Sequence, residues 1–137
     1  MMKAKGFTLD TNIVTALLKK NKKVKKRIEE ALESGFDITI NAIAYYEIKR
    51  GLEKLGRIDK IKEFEAICED LEILLIDEKN ILDYASNLWV NLSKKGLNIE
   101  DADILIASIA KVKDYILVSD DSDFEKIEGI KVENWLK

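Results

Sequence analysis

The sequence predicts a three-layer α/β/α fold with a central parallel sheet of four to five strands. Its 137 residues, of which 47% are apolar, suit one domain with a single core, so residues 1–137 are expected to form one unit. Short strand-like apolar runs alternate with longer segments whose apolar residues recur with helical spacing. Strands separated by helices are typical of parallel sheets covered on both faces.

The first half of the chain opens with a strand at Gly6–Leu9 and contains one further strand. Helical periodicity is clear where Val24, Ile28 and Leu32 fall on one face, and glycines follow two of the helical segments. The remaining predicted elements are a helix capped by Thr11 or Asn12, a helix over 22–32, a strand over 37–40, a helix from the Asn41 cap to Leu55, and a helix over 58–69.

The second half repeats this alternation. Residues 71–76 are mostly apolar, as expected for a strand covered on both faces. Tyr115–Val118 is the strongest strand signal in the chain, and Trp135 is expected to pack the tail. The other predicted elements are helices over 78–95 and 99–111, the latter capped by Asn98, a short helical turn around Phe124 and Ile127, and a weak strand over 130–132.

The composition excludes several classes of chemistry and location. There is no histidine, which removes histidine-based zinc sites and Ser-His-Asp catalysis. Cys68 is the only cysteine and is interpreted as helix core, so no intramolecular disulfide is possible and a cytoplasmic location is expected. No apolar run reaches the roughly 18 residues of a membrane span, and Met1–Gly6 does not resemble a signal peptide.

Acidic residues follow two strands that a doubly wound sheet would place side by side. Asp10 comes directly after the first strand, whereas Asp120, Asp121 and Asp123 come after Tyr115–Val118. In such a sheet the crevice between these strands is the usual ligand site. The two loops are therefore expected to present carboxylates to one cleft.

Two further acids are predicted to reach the same edge. Glu47 lies within two turns of the Asn41 cap, and helical side chains lean back toward the N-terminus. Asp103 lies in what we predict to be the second turn of a largely buried helix that leads into the last strong strand. Asp101 is rotated by about 200° from Asp103, so it is interpreted as part of an Asn98–Asp101 capping box.

Carboxylates this close together repel one another unless a cation neutralises them. Ligation by oxygen alone suits Mg²⁺ or Mn²⁺, and two such ions can activate water and stabilise the leaving oxygen of a phosphodiester. The sequence therefore predicts a divalent-metal site formed by Asp10, Glu47, Asp103 and Asp121.

Four short motifs in this order and spacing resemble the PIN-domain ribonucleases, and in particular the VapC-type toxins of toxin–antitoxin pairs. The resemblance extends from about Phe7 to Trp135. The motifs are Leu9-Asp10-Thr11-Asn12, Tyr46-Glu47-Ile48-Lys49-Arg50-Gly51, Asp101-Ala102-Asp103-Ile104-Leu105-Ile106-Ala107 and Leu117-Val118-Ser119-Asp120-Asp121-Ser122-Asp123-Phe124.

The resemblance implies a Mg²⁺- or Mn²⁺-dependent endoribonuclease that cleaves structured RNA (tRNA, rRNA or mRNA), forms a homodimer and is silenced by a cognate antitoxin. By matching position it implies catalytic and metal-binding roles for Asp10, Glu47, Asp103 and Asp121, and supporting roles for Asn12 and Ser119. The roles of Asp120 and Asp123 stay open, because the family varies in this loop, and Asp123 is retained as a supporting residue.

Simpler interpretations stand beside these. Asp10 alone would suit a helix cap, the acids after the last strong strand would suit turns, and Glu47 would suit a solvated face. The basic run that begins at Lys19 is interpreted as a solvated helix face, with RNA binding as the alternative. Lys49 and Arg50 are candidate phosphate contacts, and Tyr45, Tyr46 and Trp89 are expected to pack in the core rather than in a dimer patch.

Two other functions compete with nuclease activity. One is a catalytically silent PIN-like scaffold that binds RNA or protein. The other is a phospho-acceptor signalling domain, in which Asp77 would be the acceptor. The single acid after the first strand disfavours this second alternative.

Overall fold

A computed structural model, which describes residues 4–137, contains a five-stranded parallel sheet between layers of helices. Every neighbouring pair of strands is parallel, and the order is β3-β2-β1-β4-β5. The strands are β1 (Gly6–Leu9), β2 (Asp37–Asn41), β3 (Glu72–Leu74), β4 (Tyr115–Val118) and β5 (Val132–Glu133). The predicted fold class is confirmed, and β1 lies beside β4 in the centre of the sheet.

Six α-helices connect the strands, and the five helices for which both ends were predicted agree with the observed ends to within about two residues. None of the helices in residues 4–137 is both long and apolar enough to cross a membrane. The helices are α1 (Thr11–Leu18), α2 (Lys22–Glu33), α3 (Ala42–Leu55), α4 (Ile58–Asp70), α5 (Lys79–Lys94) and α6 (Asp101–Lys113), and a 3₁₀ helix spans Ser122–Lys126.

The core forms where the helices cover the central strands. Leu9 and Leu117 are fully buried in β1 and β4, and α6 contributes a continuous buried segment that includes Ile106 and Ile109. Trp135 packs its ring 5.0 Å from that of Phe7, as expected for the tail. These contacts fix β1 and β4 in the core, and both strands end at the same edge of the sheet.

Three local predictions were wrong. The N-cap of α1 is Asp10 rather than Thr11 or Asn12, since its side chain accepts the Thr11 amide. In α2, Ala31 is buried and Leu32 is 54% exposed, because α2 lies over the sheet on the Val24–Ala31 side. β3 is shorter than residues 71–76 and is an edge strand, which leaves Leu75 53% exposed.

The aromatic residues divide between core and surface. Tyr45 packs against Phe64 with 5.2 Å between ring centroids. Tyr46 and Trp89 are 58% and 53% exposed, so the prediction that they pack in the core was wrong. Residues 1–3, on which the prediction about a signal peptide partly falls, lie outside the described residues.

Candidate metal centre at the carboxyl edge of the sheet

Asp10 is fixed at the end of β1 by hydrogen bonds to both of its carboxylate oxygens. It is only 5% exposed, its Oδ1 accepts the Thr11 amide at 2.8 Å, and Ser119 Oγ donates to its Oδ2 at 2.7 Å. Burial raises its pKa, and the bond from Ser119 opposes that rise. Asp10 is thus a helix cap that also turns a carboxylate toward the β1–β4 crevice.

Ser119 and Asn12 join the loop after β4 to the start of α1. The Asn12 side-chain amide donates to Ser119 Oγ at 3.4 Å, and its Oδ1 accepts the Asp120 amide at 3.1 Å. Ser119 Oγ also accepts the Asp121 amide at 3.0 Å. Both residues therefore have the hydrogen bonds that a supporting role requires.

Asp103, Asp121 and Asp123 form a compact acidic triad at the mouth of the crevice. Each offers a carboxylate oxygen, and these three atoms lie within 4.8 Å of one another. Burial raises the pKa of Asp103 to about 6, and the charges of Asp121 and Asp10 add to that rise. Three acids in so small a volume favour the binding of a cation among them.

The loop after β4 holds the other two members of the triad. Asp121 Oδ1 caps the 3₁₀ helix by accepting the Asp123 amide at 2.9 Å, and Lys126 contacts the Asp123 carboxylate at 2.9 Å. The simpler interpretation, in which these acids form a turn, is therefore correct for Asp121, although Asp121 also belongs to the triad with Asp103. Asp123, expected only as a supporting residue, lies within the triad.

Glu47 lies beside Asp10 rather than in the triad. The Thr11 hydroxyl donates to Glu47 Oε1 at 3.0 Å, and the charge of Glu47 contributes to the raised pKa of Asp10. Thr11 thus orients two acids, one through its backbone and one through its side chain. No sequence pattern indicated this second role, because it depends on how α1 and α3 pack.

Asp101 and Asp120 lie outside the triad. α6 begins at Asp101, and neither Asn98 nor Glu100 makes a capping bond through its side chain, so the predicted capping box was wrong. The segment before α6 is extended because Ile99 is buried there, and this delays the helix and places Asp103 in the first turn, not the second. Asp120 is exposed and accepts the Asn134 amide at 2.6 Å.

The donor set fits a hard divalent cation. All the groups are carboxylates on two loops and one helix start, and the charged side chains with the largest effects on the pKa values of Asp10 and Asp103 are acids. Such oxygen-only sites suit Mg²⁺ or Mn²⁺. The first turn of α6 adds the positive end of a helix dipole.

Other candidate residues are engaged elsewhere. Lys49 forms an ion pair with Glu65, and Arg50 stacks 4.9 Å from the Tyr46 ring. Asp77 forms an ion pair with Lys113 at 2.7 Å, so it lies at the opposite end of α6 from Asp103. This position does not suit a phospho-acceptor beside the acidic site.

Comparison with known proteins agrees with this architecture. The PIN-domain family model matches residues 7–130. The chain is 31% identical to Ribonuclease VapC1 of Methanocaldococcus jannaschii, over 81% of this chain and 95% of that protein. It is 29% identical to Ribonuclease VapC2 of Rickettsia felis, over 96% of this chain and 98% of that protein.

A solved structure shows the same fold. The DNA-bound VapBC of Salmonella typhimurium superposes with a TM-score of 0.83 at 27% identity, covering 98% of this chain and 99% of that chain. A PIN-domain assignment excludes the phospho-acceptor alternative. The chain belongs to the PIN-domain family, among its VapC-type members.

Proposed function

We propose that this protein is a divalent-metal-dependent endoribonuclease and the toxin of a toxin–antitoxin pair. The observation that carries this proposal is the acidic triad, whose oxygens lie within 4.8 Å of one another beside the buried Asp10. Its relatives in Methanocaldococcus jannaschii and Rickettsia felis are named ribonucleases, which supports RNA as the substrate class.

Asp103, Asp121 and Asp10 are proposed to hold Mg²⁺ or Mn²⁺, with Asp123 completing the donor set. Bound there, the cation supplies the positive charge that activates water and stabilises the leaving oxygen of a phosphodiester. Ser119 and Asn12 orient the Asp10 carboxylate through their hydrogen bonds, and the bond from Ser119 favours its ionised form. Glu47, whose Oε1 accepts the Thr11 hydroxyl, is proposed as a further carboxylate of the site that serves the cation or takes a proton from the attacking water.

The substrate is proposed to be structured RNA, namely tRNA, rRNA or mRNA, and the proposed partner is a cognate antitoxin protein. A partner protein is supported by the Salmonella typhimurium relative, which was solved as VapBC. A homodimer is supported by α5, whose solvent face carries Leu82, Trp89 and Val90 at helical spacing with exposures of 52%, 53% and 39%.

RNA cleavage in the presence and absence of EDTA tests the proposal. We expect cleavage in Mn²⁺ or Mg²⁺, loss of cleavage in EDTA, and recovery when metal is restored. Asp10→Asn should remove activity while its circular dichroism spectrum stays native. Cleavage that persists in EDTA or in Asp10→Asn would contradict the metal mechanism, whereas RNA binding without any cleavage would indicate the silent scaffold.

A further inference from the structure

We propose that a lysine face on α1–α2 binds the phosphate backbone of the RNA that enters the acidic site. The lysine face consists of Lys19, Lys20, Lys22, Lys23 and Lys25. This inference rests on the proposed function, and it names the surface that positions the substrate for it.

The lysine face is exposed and its charges are not neutralised within the chain. All five lysines are exposed, and no carboxylate of residues 4–137 lies within ion-pair distance of any of them. The neighbouring Lys26 and Arg27 differ, since they reach Glu30 at 3.9 Å and Glu133 at 2.9 Å. The free positive charge is therefore concentrated at the start of α2 in a protein whose formal net charge is −3.

Local stability does not explain this placement. A helix dipole favours acids in the first turn and bases in the last, whereas α2 has no acid in its first turn and no base in its last. Lys20 also adopts a left-handed backbone conformation, with φ of 63°, at a helix end where glycine is favoured. Lys22 and Lys23 thus lie in the first turn of α2, where their charges weaken the helix, whereas Lys19 and Lys20 follow the C-terminal end of α1, where the dipole favours positive charge.

A groove with largely apolar walls runs along α1 between Lys19 of the lysine face and Glu47, which lies beside Asp10. It has a volume of about 340 Å³ and is lined by Lys19 at one end of α1 and by Thr11 and Glu47 at the other. α1 has 8 residues and is about 12 Å long. At about 3.4 Å per stacked nucleotide, about four nucleotides span the length of α1, from Thr11 to Lys19.

The chemistry of the lysine face favours nucleic acid over a protein partner. Protein interfaces are depleted in lysine and have an apolar centre, but the apolar residue among these lysines, Val24, is fully buried. Phosphate contacts require only mobile positive charges at intervals along a strand. A single RNA strand therefore fits the lysine face better than an acidic protein segment does.

The test measures RNA affinity in two triple variants with the same change in charge. Lys19→Gln, Lys22→Gln and Lys23→Gln remove three of the five charges of the lysine face, while Lys5→Gln, Lys111→Gln and Lys131→Gln remove three exposed lysines at the opposite edge of the sheet. Both are made in an Asp10→Asn background, and a fluorescein-labelled single-stranded RNA of mixed sequence is titrated by anisotropy in EDTA. Thermal melts verify that both variants fold.

We expect the lysine-face variant to bind RNA at least about tenfold more weakly than its parent. The slope of log affinity against log salt concentration should become shallower by about 0.7 for each phosphate that the variant no longer binds. The opposite-edge variant should bind nearly as well as its parent. With Asp10 restored, the lysine-face variant should show a higher KM for RNA cleavage and an unchanged kcat.

Equal weakening in both variants, or unchanged affinity in the lysine-face variant, would overturn the inference, and the second result would also identify the face as a solvated or protein-binding surface. These outcomes are separate from the nuclease proposal, because binding is measured without catalysis. If wild type fails to cut RNA but affinity depends on the lysine face, the nuclease proposal fails, and the part of the inference that assigns RNA binding to the lysine face stands.

Discussion

The helices α6 and α2 carry their charges in opposite orders. α6 begins with Asp101 and Asp103 and ends with Lys111 and Lys113, which is the order that the helix dipole favours. α2 begins with lysines and ends with Glu33, which is the reverse. In α6 the charge order is explained by the helix dipole and by the acidic site. In α2 the charge order needs an explanation outside the helix, and the RNA binding that we propose supplies one.

The largest expected effect is on α6. Asp103→Asn should lower metal-dependent RNA cleavage by more than about 100-fold, since even groups that only support a metal ligand are worth about 10–100-fold. The matched control is Asp101→Asn, which makes the same chemical change at the exposed first residue of the same helix and should leave activity near wild type. A similar loss of RNA cleavage in both variants would show that the two acids of the first turn act together through the helix dipole, and not through a metal-binding role of Asp103 alone.

The connection between β4 and α1 should be the next most sensitive. Ser119→Ala removes the hydroxyl that donates to Asp10 and accepts the Asp121 amide. Activity should fall by about 10–100-fold, and Ser119→Thr should restore part of it because it keeps the hydroxyl. Metal titration of both variants would show whether weaker metal binding causes the fall, and unchanged metal affinity in Ser119→Ala would argue against a positioning role.

A smaller effect concerns stability without metal. The pKa of Asp103 is raised from 3.8 to about 6, so between these values the folded state binds more protons than the unfolded state, and stability falls as pH rises. Asp103→Asn should therefore melt a few degrees above wild type in EDTA at neutral pH. The difference in melting temperature should shrink toward pH 4. A difference that does not depend on pH would show that the raised pKa of Asp103 is not its cause.

The smallest effect compares one substitution in the two helices. Lys113→Gln removes a last-turn charge and the ion pair with Asp77, and should lower the melting temperature by about 1–3 °C. Lys23→Gln removes an unfavourable charge from the first turn of α2, so the melting temperature should stay unchanged or rise slightly. Destabilisation of similar size by both would show that α2 gains local stability from its lysines.

Much of the fold and the outline of the site followed from the sequence. Parallel strands end at one edge, so the positions of Asp10 and Asp121 after the first and last strong strands were enough to place them together. The alternation of apolar runs predicted the element order in the same way. These predictions depend on backbone topology, which periodicity reports well.

The remaining details depend on side-chain packing between distant elements. Burial of Ile99 delays the start of α6, and this moves Asp103 into the first turn. The inclusion of Asp123 in the triad depends on the 3₁₀ helix, and the Thr11–Glu47 bond depends on the distance between α1 and α3. Sequence spacing carries none of this information.

The Ser119 hydroxyl has one proton, and that proton goes to Asp10. Its oxygen then accepts the amide of Asp121 and the side chain of Asn12, so every bond in this network points toward the Asp10 carboxylate. A neutral Asp10 would compete to donate into the same oxygen and would reverse that direction. The hydrogen bonds of the loop after β4 are therefore matched to a carboxylate at Asp10 that accepts protons from its neighbours, which is the form that a cation requires.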